Sequence, residues 1–172
     1  MDSNRIWKIA LRILPAAFIF ISGMALLYLF MPREISGDSI LRPDTPDIVA
    51  RGKALYAIEC ASCHGPNGQG QPNWDTQSTE SNPLAPPHDS TGHTWQHPDQ
   101  ALFQLTKYGS SDIACRTLNS DAMPEFEKLL SDEDVIAVLS YIKSRWPADI
   151  RKRHDRINSM YASYALENVE TE

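Results

Sequence analysis

The chain has 172 residues, 42% of them hydrophobic, enough for one compact domain with appendages. A net charge of −6 and an isoelectric point near 5.3 argue against nucleic acid as a partner. Three cysteines in a chain of this length do not make a disulfide framework, and Cys115, apart from the other two, reads as a small buried residue with no role.

Residues 1–31 differ from the rest. Arg5, Lys8 and Arg12 precede "ILPAAFIFISGMALLYLFM" (13–31), 19 residues without a charge. At the helical rise that run covers about 28 Å, close to the hydrocarbon thickness of a bilayer. A cleaved signal peptide is the competing reading, with Gly23 and Ala25 as weak small-residue sites. Its apolar core would normally be about 7–15 residues, and this one runs on through Phe30. The stretch therefore reads as an uncleaved, single-pass anchor in the lipid bilayer. Its basic flank places the N-terminus in the cytoplasm and everything after Met31 outside. "PREISGDSILRPD" (32–44) has two prolines and no helical period, so it reads as a linker. Fully extended, it reaches about 43–47 Å.

Helical signals dominate from residue 45 to the C-terminus. Thr45 as N-cap, Pro46 at the first helical position and Asp47 in the first turn start a helix that delivers Cys60 at its end. Ile48, Leu55 and Ile58 roughly share one face of it. Residues 65–96 are rich in Gly, Pro, Asn, Ser and Thr, and a loop this long is uncommon unless functional. A large flat cofactor to wrap around would explain it. A short helix is predicted over 97–109, with Pro98 near its start, Gly109 as its stop, and Ala101, Leu102 and Leu105 inward. A loop and a turn or two of helix lead to the strongest helix, 131–146. Ser131 caps it, Asp134 approximates a capping-box partner, and Val135, Val138, Leu139 and Ile142 form its apolar stripe. Residues 148–172 read as a further amphipathic helix with Ile150, Ile157, Tyr161 and Tyr164 roughly on one face. Its "RKRHDR" cluster is interrupted by acids and reads as a solvated face. No segment alternates as a strand would, so the fold class is all-α.

The chemistry concentrates in "CASCHG" (60–65). Cysteine thiols add across the two vinyl groups of haem, and the adjacent histidine is placed to bind the iron, so Cys60, Cys63 and His64 have a haem-attachment spacing. A structural zinc site needs four ligands, and no second CxxC or HxxxH pair exists here. Cys115 with His88, His93 or His97 would complete one only at irregular spacings. A thioredoxin-like dithiol expects a βαβ context that is absent.

The helix ending in "CASCHG", the Gly/Pro-rich loop, "DAMPEF" and the closing helix "SDEDVIAVLSYIKSRWP" together resemble a class I, monohaem c-type cytochrome. The resemblance covers residues 45–147, and "GQPNW", "LAPPHDSTGHTWQHPD" and "AMPEF" are similar to a bacterial membrane-associated or periplasmic subset. It implies a cytochrome c fold around one covalently attached haem c, with the haem domain on the periplasmic side of the inner membrane. It also implies that Met123, 59 residues after His64, is the second axial ligand opposite His64. The bland alternative for Met123 is core packing, bis-histidine ligation through His88, His93, His97 or His154 is a minor rival, and Met160, outside the resemblance, reads as a packing residue. In the family, the second ring N–H of the ligand histidine meets a carbonyl of a proline-rich loop, here Pro83, Pro86 or Pro87. Trp74, Trp95 or Arg116 are candidates to meet the propionates, and Gly52 and Tyr56 to mark a helix crossing.

The functional expectation is an electron carrier, not an enzyme, passing electrons between redox complexes in the membrane or periplasm. Beyond Met31 the chain carries 13 basic and 21 acidic side chains, a net −8 that suits docking on basic surfaces. Two alternatives stand beside it. One is a fixed subunit of an oxidoreductase complex, docked through 148–172. The other is an open-site haem enzyme or sensor, should Met123 not be a stable ligand.

Overall fold

The computed structural model describes residues 39–77, 79, 84–109 and 123–169. The run at 13–31, Cys115 and Arg116 lie outside the described residues. Among those described, no helix is long and apolar enough to cross a membrane, and there is no strand. Five helices are present there: α1 (Pro46–Glu59), α2 (Ala61–His64), α3 (Asp99–Tyr108), α4 (Asp132–Ser144) and α5 (Ala148–Val169), with a 3-10 turn at Thr94–Gln96.

The core forms where α1 crosses α4. Val135, Val138, Leu139 and Ile142 are all buried, and the capping box at Ser131 is complete in both directions, with Asp134 N–H donating to Ser131 Oγ. Such a cap contributes about 1 kcal/mol. Ser131 and then Arg51 hold the Asp134 carboxyl below its usual range. On α1 the inward residues are Gly52 and Tyr56, whereas Ile58, expected inside, is 71% exposed. The crossing itself explains the difference. A Cβ on Gly52 would lie 1.9 Å from the Ala137 carbonyl oxygen, so the two backbones touch and the contact turns α1 towards its small residue. Ile58, six residues from Gly52, falls on the other side of the helix, whereas Ile48, one turn before Gly52, is half-buried.

Around the crossing pack Leu41, Leu102, Phe126, Leu130, Tyr141, Trp146 and Ile150. On α3, Leu102 is buried with Asp99 and Thr106, while Ala101 and Leu105 are only partly covered. The segment after Met123 makes a single turn at Phe126–Leu130, where Leu130 N–H reaches the Phe126 carbonyl at 2.8 Å, in place of the predicted helical turns.

Helix α5 is present as predicted, but its inner face is different. Ile150, His154 and Asn158 are buried at i, i+4 and i+8, while Tyr161 and Tyr164 are exposed. The polar side chains face inward because partners await them. Asn158 Oδ1 accepts from Asp99 N–H at 2.7 Å and its Nδ2 donates to Asp99 Oδ1 at 3.0 Å. His154 Nε2–H donates to the His97 carbonyl at 3.0 Å, with Asp99 Oδ1 at 3.4 Å. Lys143, only 2% exposed, pairs with Asp155 at 2.7 Å and lies 4.0 Å from Asp99. Asp99 also accepts from Ser39 Oγ and Leu41 N–H. A buried, unpaired ammonium costs several kcal/mol, so this set of partners is what lets Lys143 stay inside.

Candidate functional site

Cys60, Cys63 and His64 stand on one turn. The chain leaves α1 at Cys60, whose N–H still donates to the Tyr56 carbonyl, and re-enters a helix at once in α2. Cys60 is buried and Cys63 exposed. Burial, reinforced by Glu59 and Cys63, pushes the Cys60 thiol up to about 11. The buried Cys60 thiol is therefore held in its protonated form. Among the described residues no group of three or more His, Cys, Asp or Glu is placed to hold a metal ion.

His64 is buried, and its Nδ1–H donates to the Pro86 carbonyl at 2.9 Å. Of the prolines expected for this contact Pro86 makes it, Pro83 lying outside the described residues. The bond fixes the tautomer and leaves Nε2 as the nitrogen with a lone pair to offer. Burial lowers the His64 pKa, keeping the ring in the neutral form that binds metals. The loop that carries Pro86 is held close: a Cβ on Gly70, which has φ +68°, would meet Pro87 N at 2.5 Å. Gln71 N–H donates to the Ala85 carbonyl and His88 N–H to the Gly68 carbonyl, closing the loop on the turn after His64.

The three loop histidines take separate positions. His88 stacks on His64, ring centroids 3.9 Å apart and planes at 24°. Axial ligands approach an iron end-on from opposite faces, so two face-to-face rings cannot be its two ligands. His93 instead lies against Trp74 and against the edge of His97. His154, the other histidine weighed as a ligand, is wholly buried behind α3 and α4, engaged with His97 and Asp99. Trp95, weighed as a propionate contact, spends its indole N–H on the Gly92 carbonyl at 3.0 Å.

Met123 belongs to another segment. It is partly buried at the edge of the apolar cluster, and Phe126 N–H donates to the Lys107 carbonyl at 3.0 Å, tying its segment to the end of α3. Behind the stacked histidines the end of α4 closes in. Trp146 Nε1–H donates to the His88 carbonyl at 2.7 Å, and Arg145 donates to Tyr141 Oη and the Asn67 carbonyl. A cavity of about 250 Å3 adjoins this wall, lined by Tyr56, Gly68, His88, Tyr141 and Arg145 among others. Burial pushes the Tyr56 hydroxyl up to about 12, and its O–H donates to the Gly65 carbonyl at 2.9 Å.

The residues fit a covalently bound haem: a buried and an exposed thiol one helical turn apart, followed by an imidazole whose other nitrogen is already held. Sequence reasoning missed the His64–His88 stack and the partners of His154. A signal for the first was on hand, since His88 comes one or two residues after the proline carbonyls. The family model described as Cytochrome c matches residues 49–146. No curated protein and no solved structure is similar enough to match.

Proposed function

The chain belongs to the cytochrome c family, an electron-transfer protein with covalently attached haem c, and we propose that Cys60, Cys63, His64 and Met123 hold that haem. Each thiol would add its S–H across a vinyl group, the sulfur bonding one carbon and the hydrogen the other. His64 Nε2 and Met123 Sδ would be the two protein ligands that hold the haem iron. The bound haem supplies a one-electron couple at its iron. A thioether opposite an imidazole raises the potential relative to two imidazoles, which suits a carrier feeding an oxidase.

The observation that carries this reading is the His64 Nδ1–Pro86 hydrogen bond, which leaves one nitrogen free at the turn that bears both thiols. The haem domain, residues 45–147 with Ser39 and Leu41 packed into it, would stand outside the cytoplasmic membrane, tethered by 13–31 through what remains of the linker 32–44. Tethering keeps it at high local concentration near redox partners in that membrane and denies it distant ones. Its acidic balance favours basic docking surfaces and salt-sensitive association. A second reading, a fixed subunit of one oxidoreductase complex, draws support from Met160 and Tyr161, exposed on an α5 that lies beyond the matched stretch.

The test is carbon monoxide added to the reduced, haem-loaded chain. The wild type is expected to bind it negligibly and Met123→Ala rapidly. Rapid binding by the wild type would overturn the closed-site carrier and favour the open-site enzyme or sensor.

A further inference from the structure

A single hydrogen bond does not fix an imidazole ring. The torsion that turns a histidine ring about its Cβ–Cγ bond is broad, so a ring held at Nδ1 alone still librates about that contact. His64 has its Nδ1 contact to Pro86, and it has a second restraint on its face: the ring of His88, 3.9 Å away and 24° from parallel.

His88 is itself locked from four sides. Its N–H donates to the Gly68 carbonyl at 2.7 Å, and its own carbonyl accepts from Trp146 Nε1 at 2.7 Å. Its ring Nδ1 lies 2.9 Å from Thr94 Oγ1, and that oxygen lies 3.3 Å from the Pro87 carbonyl. A threonine hydroxyl has one hydrogen. Since the Pro87 carbonyl can only accept, Thr94 donates to it and accepts from His88 Nδ1–H. The Tyr56 ring meets the His88 ring edge-on at 6.3 Å. Both imidazoles are thus referred to consecutive carbonyls of one loop, His64 directly to Pro86 and His88 through Thr94 to Pro87. Proline fixes φ at both positions, so the reference frame is stiff.

We propose that His88 is a positioning residue for the haem: stacked on His64, it sets and narrows the plane in which that imidazole meets the iron. The proposal rests on His64 being an axial ligand. The plane of an axial imidazole decides which iron orbitals it overlaps, and hence the anisotropy of the ferric g-tensor. Side chains that orient a ligand histidine tune its metal in the same way. A filler of the same volume without a flat ring would keep the fold and lose this control.

The experiment is electron paramagnetic resonance of the ferric, haem-loaded full chain, with haem content measured alongside. His88→Leu is expected to shift and broaden the g values at unchanged haem content, and His88→Phe to return them towards wild type. Wild-type g values in His88→Leu, or a Phe variant displaced as far as the Leu variant, overturn the proposal. Should His88→Leu fail to take up haem, Thr94→Val decides. It frees the His88 ring with little change in volume, so broadened g values support the proposal and unchanged ones overturn it. Histidine ring resonances of the ferric wild type check the premise separately. If none shifted by the iron belongs to His64, both the proposal and the ligand assignment fail.

Discussion

Two regions of this protein are held together by opposite means. At His64 itself the contacts are shorter in sequence and referred to backbone carbonyls: the Pro86 carbonyl lies 22 residues away and the thiols lie on the same turn, with Trp146 reaching in behind from 58 residues beyond His88. Around Asp99 they are long in sequence and made by buried side chains, with Asn158 59 residues away and Lys143 reaching Ser39 across 104. The first arrangement shapes a place for something that is not protein. The second substitutes for apolar packing where α5 meets the domain. A site for a rigid cofactor needs carbonyls at fixed positions. A helix–domain joint needs partners for every polar group it buries.

The largest expected effect separates the two regions. Asp99→Ala removes the acceptor shared by Ser39, Leu41 and Asn158 and leaves Lys143 and His154 with one carboxylate fewer. Breaking a buried charged set from one side costs about 3–5 kcal/mol. Denaturant unfolding of the haem-loaded chain should show that loss, while the visible spectrum before the transition stays that of the wild type. A changed spectrum would mean that the regions are not separate.

Gly52→Ala tests the opposite case, because α1 carries both the helix crossing and the thiols. A methyl placed against the Ala137 carbonyl forces α1 and α4 apart, at a cost of about 1–3 kcal/mol typical of overpacking. Here stability and haem spectrum should move together. Unaltered thermal unfolding would show that the helices can part without loss.

The smallest effect comes from pH. Burial and then Lys143 lower the His154 pKa against the pull of Asp99 and Asp155, and its Nδ1 is buried without a partner. Its folded value lies below its unfolded one, so the unfolded chain takes up the proton first as pH falls. Stability from the neutral ring is therefore complete above the ordinary histidine value near 6.5, and declines as pH drops below it. His154→Leu should flatten part of that decline in denaturant midpoints measured across pH 5–8. An identical pH slope would remove His154 from the account.

The same contrast decides what could be read from the chain beforehand. The CxxCH turn, the apolar stripe and capping box of α4 and the Gly52–Tyr56 crossing were legible, because each depends on neighbours in sequence or on one strong steric rule, while a proline carbonyl for His64 came from the family resemblance, with three prolines open. The inner face of α5 was not. Aromatic Tyr161 and Tyr164 looked like better core than His154 and Asn158, and only the far-off partners at 97 and 99 reverse that order. Ile58 failed for a related reason, since periodicity cannot say which of two stripes a helix–helix contact will select. The His64–His88 stack needed the loop's path, which glycines and prolines permit without specifying.

The crossing of α1 over α4 also bears on the order of events during biosynthesis. Gly52 meets Ala137, 85 residues further along the chain. Until that distant stretch has been made and delivered, α1 has no surface to settle on. The turn that bears the two thiols therefore follows, until then, a helix without its main packing partner.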